Sequence, residues 1–228
     1  KTGSMIVELT GLPGSGKSYI LSKMKEVELK DLNLVTDIPF FLLGKCTGAR
    51  GNWLIYELFL LSQFLRLKLS DWRIVLESIR FLRMGSEGFL TRCNILRNIL
   101  KKLITYRLLE HTSEIVIVDE GISHIPMSLF VQRGLDIKED EVINFITLLP
   151  NVDKLIQVVA SQEIVLSRVV QRGFSDHRRI SINNIFSFLL KSRQVADIIT
   201  REYNPQKIIN EGNSFDVLNF VIKNFTNV

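Results

Sequence analysis

The chain has only two cysteines in 228 residues, Cys46 and Cys93, widely separated and outside any metal-ligand pattern. That excludes a disulfide scaffold and a thiolate metal centre, and it reads as reduced thiols in a cytoplasmic protein. Histidine is nearly as scarce: His111, His124 and His177 lack the spacing that ligation requires. His124 falls nearest the acidic segment described below, where a packing or polar loop role is expected. No run of 18 uninterrupted apolar residues occurs; the nearest candidate, Trp53 to Leu69, is broken by Glu57, Gln63, Arg66 and Lys68. Charges are costly in hydrocarbon, so a buried helix is expected there and not a membrane span. A secretory signal, an internal repeat, a low-complexity tract and a linker-like boundary are also missing. Residues 1–4 read as a cloning remnant ahead of Met5, and residues 5–228 as one domain.

What is present is an ordinary globular composition, 46% hydrophobic and 23% charged, with a net charge of +5. The charge is uneven. Between Lys45 and Arg107 twelve Lys/Arg face four acids, Glu57, Asp71, Glu77 and Glu87. Such a segment suits an anionic substrate, partner or membrane surface, or is a set of solvated helix faces. Basic residues do not alternate with exposed aromatics, so a nucleic-acid interface is not expected.

Residues Gly11 to Ser18 read GLPGSGKS and satisfy G-x-x-x-x-G-K-[ST] at every fixed position. An apolar strand, IVELT, precedes them and the helix-compatible YILSKMKEVE follows. In such a loop the backbone N–H groups of Gly11, Pro13-flanking residues, Gly14, Ser15 and Gly16 converge on phosphates, and the helix N-terminus adds positive partial charge. Lys17 is expected to reach the β- and γ-phosphates of a nucleoside triphosphate, and the Ser18 hydroxyl to ligate Mg²⁺.

The rest of the chain alternates strand and helix. Strands are expected at Asn33 to Thr36, Glu114 to Val118, Leu155 to Ala160 and Lys207 to Ile209. Three or four helices fill residues 51–109, with breaks near Ser70-Asp71 and Met84 to Gly88. Further helices are expected at Lys138 to Leu149, Glu163 to Gln171, Ile180 to Arg201 and Phe215 to Asn224. This alternation implies an α/β fold with a parallel sheet and helices on both faces. Ligands in such sheets sit beyond the strands' carboxyl ends, where the loops after Thr10, Thr36 and Val118 converge.

Three constellations carry chemistry. Asp119-Glu120 follows the buried run EIVIV, where a carboxylate such as Asp119 can hold Mg²⁺ opposite Ser18. Asp37 ends the second strand before Ile38-Pro39; it can accept an acceptor hydroxyl's proton, or it caps the loop. Arg168 and Arg172 lie four apart on one helix face, ahead of the polar stretch GFSDHRR, and suit charge developing on a transferring phosphoryl group. Arg80, Arg83, Arg92 and Arg97 either contact an acidic acceptor or lie at the surface.

Ala160-Ser161-Gln162-Glu163, Arg168 to Gly173, Asp37-Ile38-Pro39 and Asp119 to Phe130 together resemble the thymidylate kinase and deoxynucleoside kinase branch of the P-loop kinases. The resemblance implies a three-layer fold with a five-stranded parallel sheet in the order 2-3-1-4-5 and a helical lid at about 168–180. It implies ATP and Mg²⁺ as cofactors, Arg168 on the nucleotide phosphates, and a hydroxyl or phosphate acceptor that is a nucleoside, nucleotide or sugar-like molecule. A second copy of the chain is a further candidate partner. One departure stands out: Glu120 occupies the position where this branch usually has an arginine contacting the acceptor.

Two functions follow as expectations. A small-molecule kinase would use Lys17, Arg168 and Arg172 for charge and Asp37 or Glu120 as base. An ATPase or nucleotide-gated module would use Glu120 to polarise water.

Overall fold

The computed structural model describes residues 5–26, 32–35, 61–64, 67–110, 115–131, 136–172 and 182–211. Five apolar segments become strands: β1 (Met5–Thr10), β2 (Leu32–Val35), β3 (Ile115–Asp119), β4 (Lys154–Val159) and β5 (Gln206–Ile209). They form one sheet in the order β2-β3-β1-β4-β5, and every neighbouring pair is parallel. Parallel pairing requires crossover segments, and these bring helices to both faces.

β1 shows how the two faces are divided. Ile6 packs with Val116, Val118 and Leu155 on one side, whereas Val7 and Leu9 pack with Ile117, Ile156, Val158 and Ile208 on the other. Helix α1 (Lys17–Glu26) covers the second side through Ile20 and Leu21. The first side is thicker. It buries α2 (Leu69–Met84), α3 (Phe89–Leu109), α4 (Glu139–Ile146) and part of α6 (Ile182–Tyr203), with Phe81, Phe130 and Phe145 in mutual ring contact at 5.0–6.1 Å. Helix α5 (Gln162–Arg172) meets α6 in a small cluster of Val165, Val169 and Ile185.

Several boundaries differ from the sequence reading. The break expected at Ser70-Asp71 lies at Leu67-Lys68, and α2 begins at Leu69. The cause is Asp71, a fully buried acid in the helix's first turn, whose carboxylate accepts the Lys68 N–H at 2.9 Å. The same carboxylate takes a two-pronged bond from Arg107 of α3, at 2.9 Å and 2.5 Å. β3 runs one residue further than expected because Asp119 pairs in register with Leu9. The segment after β3 is a short 3-10 turn, Ile122–His124, followed by a π-helical turn, Met127–Val131. Asp37, residues 173–180 of the expected lid and the closing helix at residues 215–224 lie outside the described residues.

Candidate phosphate-binding site

Register fixes where the site must be. Leu9 pairs with Asp119 and Thr10 with Gln157, so β1, β3 and β4 end side by side and their following loops meet. Residues Gly11 to Ser18 form the first of these loops, and α1 starts within it at Lys17. Gly11, Gly14 and Gly16 have φ of 148°, 84° and 97°, values that side-chain-bearing residues rarely adopt. Gly16 is also short of space: a Cβ there would lie 2.0 Å from Asn210 Nδ2.

The loop is held from outside as well as by its own turn, the Ser15 N–H to Leu12 carbonyl bond of 3.0 Å. Asn210, directly after β5, donates to the Ser15 carbonyl at 2.8 Å. Arg168 donates to the carbonyls of Gly14 and Ser15, both at 3.3 Å. Each of these outside donors engages a loop carbonyl and none a loop N–H group. Lys17 is 6% exposed, and its ammonium donates to the carbonyls of Gly11 at 2.9 Å and Leu12 at 3.3 Å. The same ammonium stands 3.2 Å from Glu120 Oε1.

The acidic turn after β3 faces this lysine. Glu120 has a φ of 54°, a left-handed conformation that costs a non-glycine residue about 1–2 kcal/mol. Its N–H donates to the Leu9 carbonyl at 3.2 Å, and its carboxylate approaches His124 Nε2 to 3.5 Å. Burial on its own would raise the Glu120 carboxyl; His124, Lys17 and Lys102 outweigh it and hold the group at about 2. His124 is driven the other way, to about 3, by burial and by the neighbouring Lys102 and Lys17, so it is neutral at ordinary pH. Asp119 is raised by burial and by Glu120, and its Oδ1 is buried without a hydrogen-bond partner.

Two charged residues of this cluster were not singled out by sequence reasoning. Glu8 sits in the middle of β1, 1% exposed, and accepts the Ile122 and Ser123 N–H groups at 2.8 and 2.9 Å. Burial raises its carboxyl against the pull of those N–H groups and of Lys102. Lys102, on α3, is lowered to about 8 by burial, with Glu120, Glu8 and Asp119 opposing the shift. Three of the arginines expected near an acceptor are accounted for differently. Arg80 pairs with Glu77, Arg83 is exposed, and Arg92 bonds the carbonyls of Gly85 and Glu87, both at 2.7 Å. Arg172 closes α5, and its side chain, like Asp37, is outside the described residues.

These residues suit a phosphorylated nucleotide. The Ser15 hydroxyl is buried without a partner, the Ser18 side chain is exposed at the head of α1, and Asp119 offers an unpartnered oxygen. Among the described residues no group of three or more His, Cys, Asp or Glu could hold a metal ion alone. A Mg²⁺ that arrives on phosphates and needs only one or two protein oxygens fits such a site better than a resident ion. Among the described residues, no helix is long and apolar enough to cross a membrane.

No protein-family profile and no curated protein matches the chain. Among solved structures the chain is similar to a thymidylate kinase from Ehrlichia chaffeensis, at 16% identity and a TM-score of 0.47 over 99% of this chain and 98% of that one. It is also similar to a deoxyadenosine kinase from M. mycoides, at 14% identity and a TM-score of 0.49 over 98% of this chain and 100% of that one. A third, TT1252 from Thermus thermophilus, has 14% identity and a TM-score of 0.45 over 98% of this chain and 97% of that one.

Proposed function

We propose that this chain is a phosphotransferase that binds a nucleoside triphosphate, ATP in the first instance, at Gly11 to Ser18. Its terminal phosphoryl group then passes to a hydroxyl or phosphate acceptor of nucleoside, nucleotide or sugar-like chemistry. The observation that carries this reading is the buried Lys17 in a three-glycine cradle, 3.2 Å from Glu120 at the carboxyl end of a parallel sheet.

Residues Gly11, Pro13, Gly14, Ser15 and Gly16 shape the cradle, and Lys17 neutralises charge on the phosphates. Ser18 and Asp119 would hold Mg²⁺, which supplies further neutralisation when bound. The acceptor oxygen forms a bond to the γ-phosphorus as the bond to the β-bridging oxygen breaks. The acceptor's proton passes to a carboxylate, for which Asp37 is the proposed base on a hydroxyl acceptor, and the nucleoside diphosphate leaves. Arg168, which bonds the loop, and Arg172 would meet charge on the moving group. Acceptor-dependent ADP release across a panel of nucleosides, nucleotides and phosphosugars tests the reading. Lys17→Ala is expected to lower turnover by about 100-fold or more, and full activity in that variant would sink the proposal.

One observation favours a second reading. Glu120, not an arginine, stands beside Lys17, and it is ionised, as a water-polarising base must be. An ATPase would then need no acceptor. Glu120→Gln assayed for ATP turnover without acceptor separates the two: a loss of about 100-fold is expected of a hydrolase, and undiminished turnover removes hydrolysis by this residue.

A further inference from the structure

An acid in the central strand of the sheet is chemically out of place unless something uses it. Ile6, Glu8 and Thr10 share one face of β1, the face on which Ile6 packs with Val116 and Val118, and Glu8 is 1% exposed there. Its two oxygens go to consecutive backbone N–H groups, those of Ile122 and Ser123, at the start of the 3-10 turn. Gly121 makes that approach possible. A Cβ at Gly121 would lie 2.2 Å from both Cδ and Oε1 of Glu8. Glycine is therefore required here for space.

The residue before Gly121 is Glu120, which holds a left-handed φ and donates its own N–H to Leu9 of the same strand. β1 thus grips the turn at Glu120 through a carbonyl and at Ile122 and Ser123 through a carboxylate. We infer that Glu8 is a positioning residue, which holds the Glu120 carboxylate over Lys17 by fixing the turn from Gly121 to Ser123. This rests on reading Gly11 to Ser18 as the nucleotide site, because only there does the placement of Glu120 have a consequence.

The consequence is measurable without turnover. While Glu120 sits on Lys17 it competes with a nucleotide phosphate for that cation. With a fluorescent ADP analogue in EDTA, Glu120→Gln is expected to bind about 3- to 10-fold more tightly than the parent protein. Glu8→Gln alone is expected to tighten binding about 2- to 5-fold, and to add nothing when Glu120 is already Gln. Gly121→Ala keeps the Glu8 charge but drives it from the turn, and it is expected to reproduce that pattern. The inference is overturned if a folded Glu8→Gln or Gly121→Ala binds the analogue as the parent does, or if either shifts affinity equally in both Glu120 backgrounds. Amide proton shifts of Ile122 and Ser123 read the same contact with no nucleotide present. They should move upfield in Glu8→Gln, and unmoved shifts also overturn the inference. A parent protein that fails to bind the analogue, with those shifts still moving, refutes the nucleotide reading and leaves the Glu8 contact standing.

Discussion

Gly16→Ala adds one methyl group to the loop, and its cost can be worked from the geometry. At a φ of 97° the backbone lies outside the region open to alanine, a strain of about 1–3 kcal/mol. The new Cβ would stand 2.0 Å from Asn210 Nδ2, so the Asn210 side chain must leave. That breaks its 2.8 Å bond to the Ser15 carbonyl, worth about 1 kcal/mol, although Arg168 still donates to the same oxygen. The expected loss is about 2–4 kcal/mol in a urea unfolding curve, with an unchanged slope. Asn210→Ala alone removes only the hydrogen bond, at a cost of about 1 kcal/mol. Both variants lose that same bond, so the double variant should be about 1 kcal/mol more stable than the sum of the two single losses implies. Nucleotide affinity should fall in both Gly16→Ala proteins, since the cradle itself is shifted. A Gly16→Ala protein within about 0.5 kcal/mol of the parent would refute the reasoning, because such a loop would not be held against Asn210 at a positive φ.

Asp71→Asn leaves Arg107 facing a neutral amide in a buried setting, and about 3 kcal/mol of stability should be lost, seen as a melting point lower by about 6–12 °C. His124 gives a pH signature: its folded value near 3 lies below the ordinary 6.5, so between those limits the unfolded chain holds a proton that the folded chain refuses. Stability contributed by neutral His124 is therefore present above pH 6.5 and drains as pH falls, by about 2 kcal/mol at pH 5. Denaturant titrations at pH 7 and 5 should show this slope in the parent and a shallower one in His124→Gln; equal slopes would count against a buried neutral His124.

The glycine-rich loop was legible because its pattern is contiguous: Gly11, Gly14 and Gly16 meet local backbone demands, and the apolar runs around them announce buried strands. The start of α2 was misplaced because Ser70-Asp71 looks like a break when read locally. Its meaning comes from Arg107, 36 residues away, which turns Asp71 into the buried anchor of a helix's first turn. Glu8 was hidden for the same reason, its partners lying 114 and 115 residues on. Asn210 supports Ser15 across 195 residues, with nothing in its own neighbourhood to mark it. Lys102 lay in view among twelve basic residues between Lys45 and Arg107, but composition does not say which of them turns inward. The guanidiniums that attracted attention, Arg80 and Arg92, make local contacts with Glu77, Gly85 and Glu87 instead.

The charges around Lys17 form one coupled set, and on the proposed reading that set bears on how a nucleotide would enter. Lys17 and Lys102 are the cations, and Glu8, Asp119 and Glu120 the acids. Glu8 is committed to backbone N–H groups, so it cannot follow a ligand, whereas Glu120 is held on Lys17 by an ion pair that phosphate can replace. A glycine-rich loop with a lysine would by itself take any phosphate. The acid beside it changes the terms: a ligand must displace Glu120 from Lys17, and a freed carboxylate then stands next to the phosphates. On the proposed reading, phosphate recognition by Gly11 to Ser18 and the release of Glu120 on the turn after β3 would for that reason be one event, with Lys17 as the group they share.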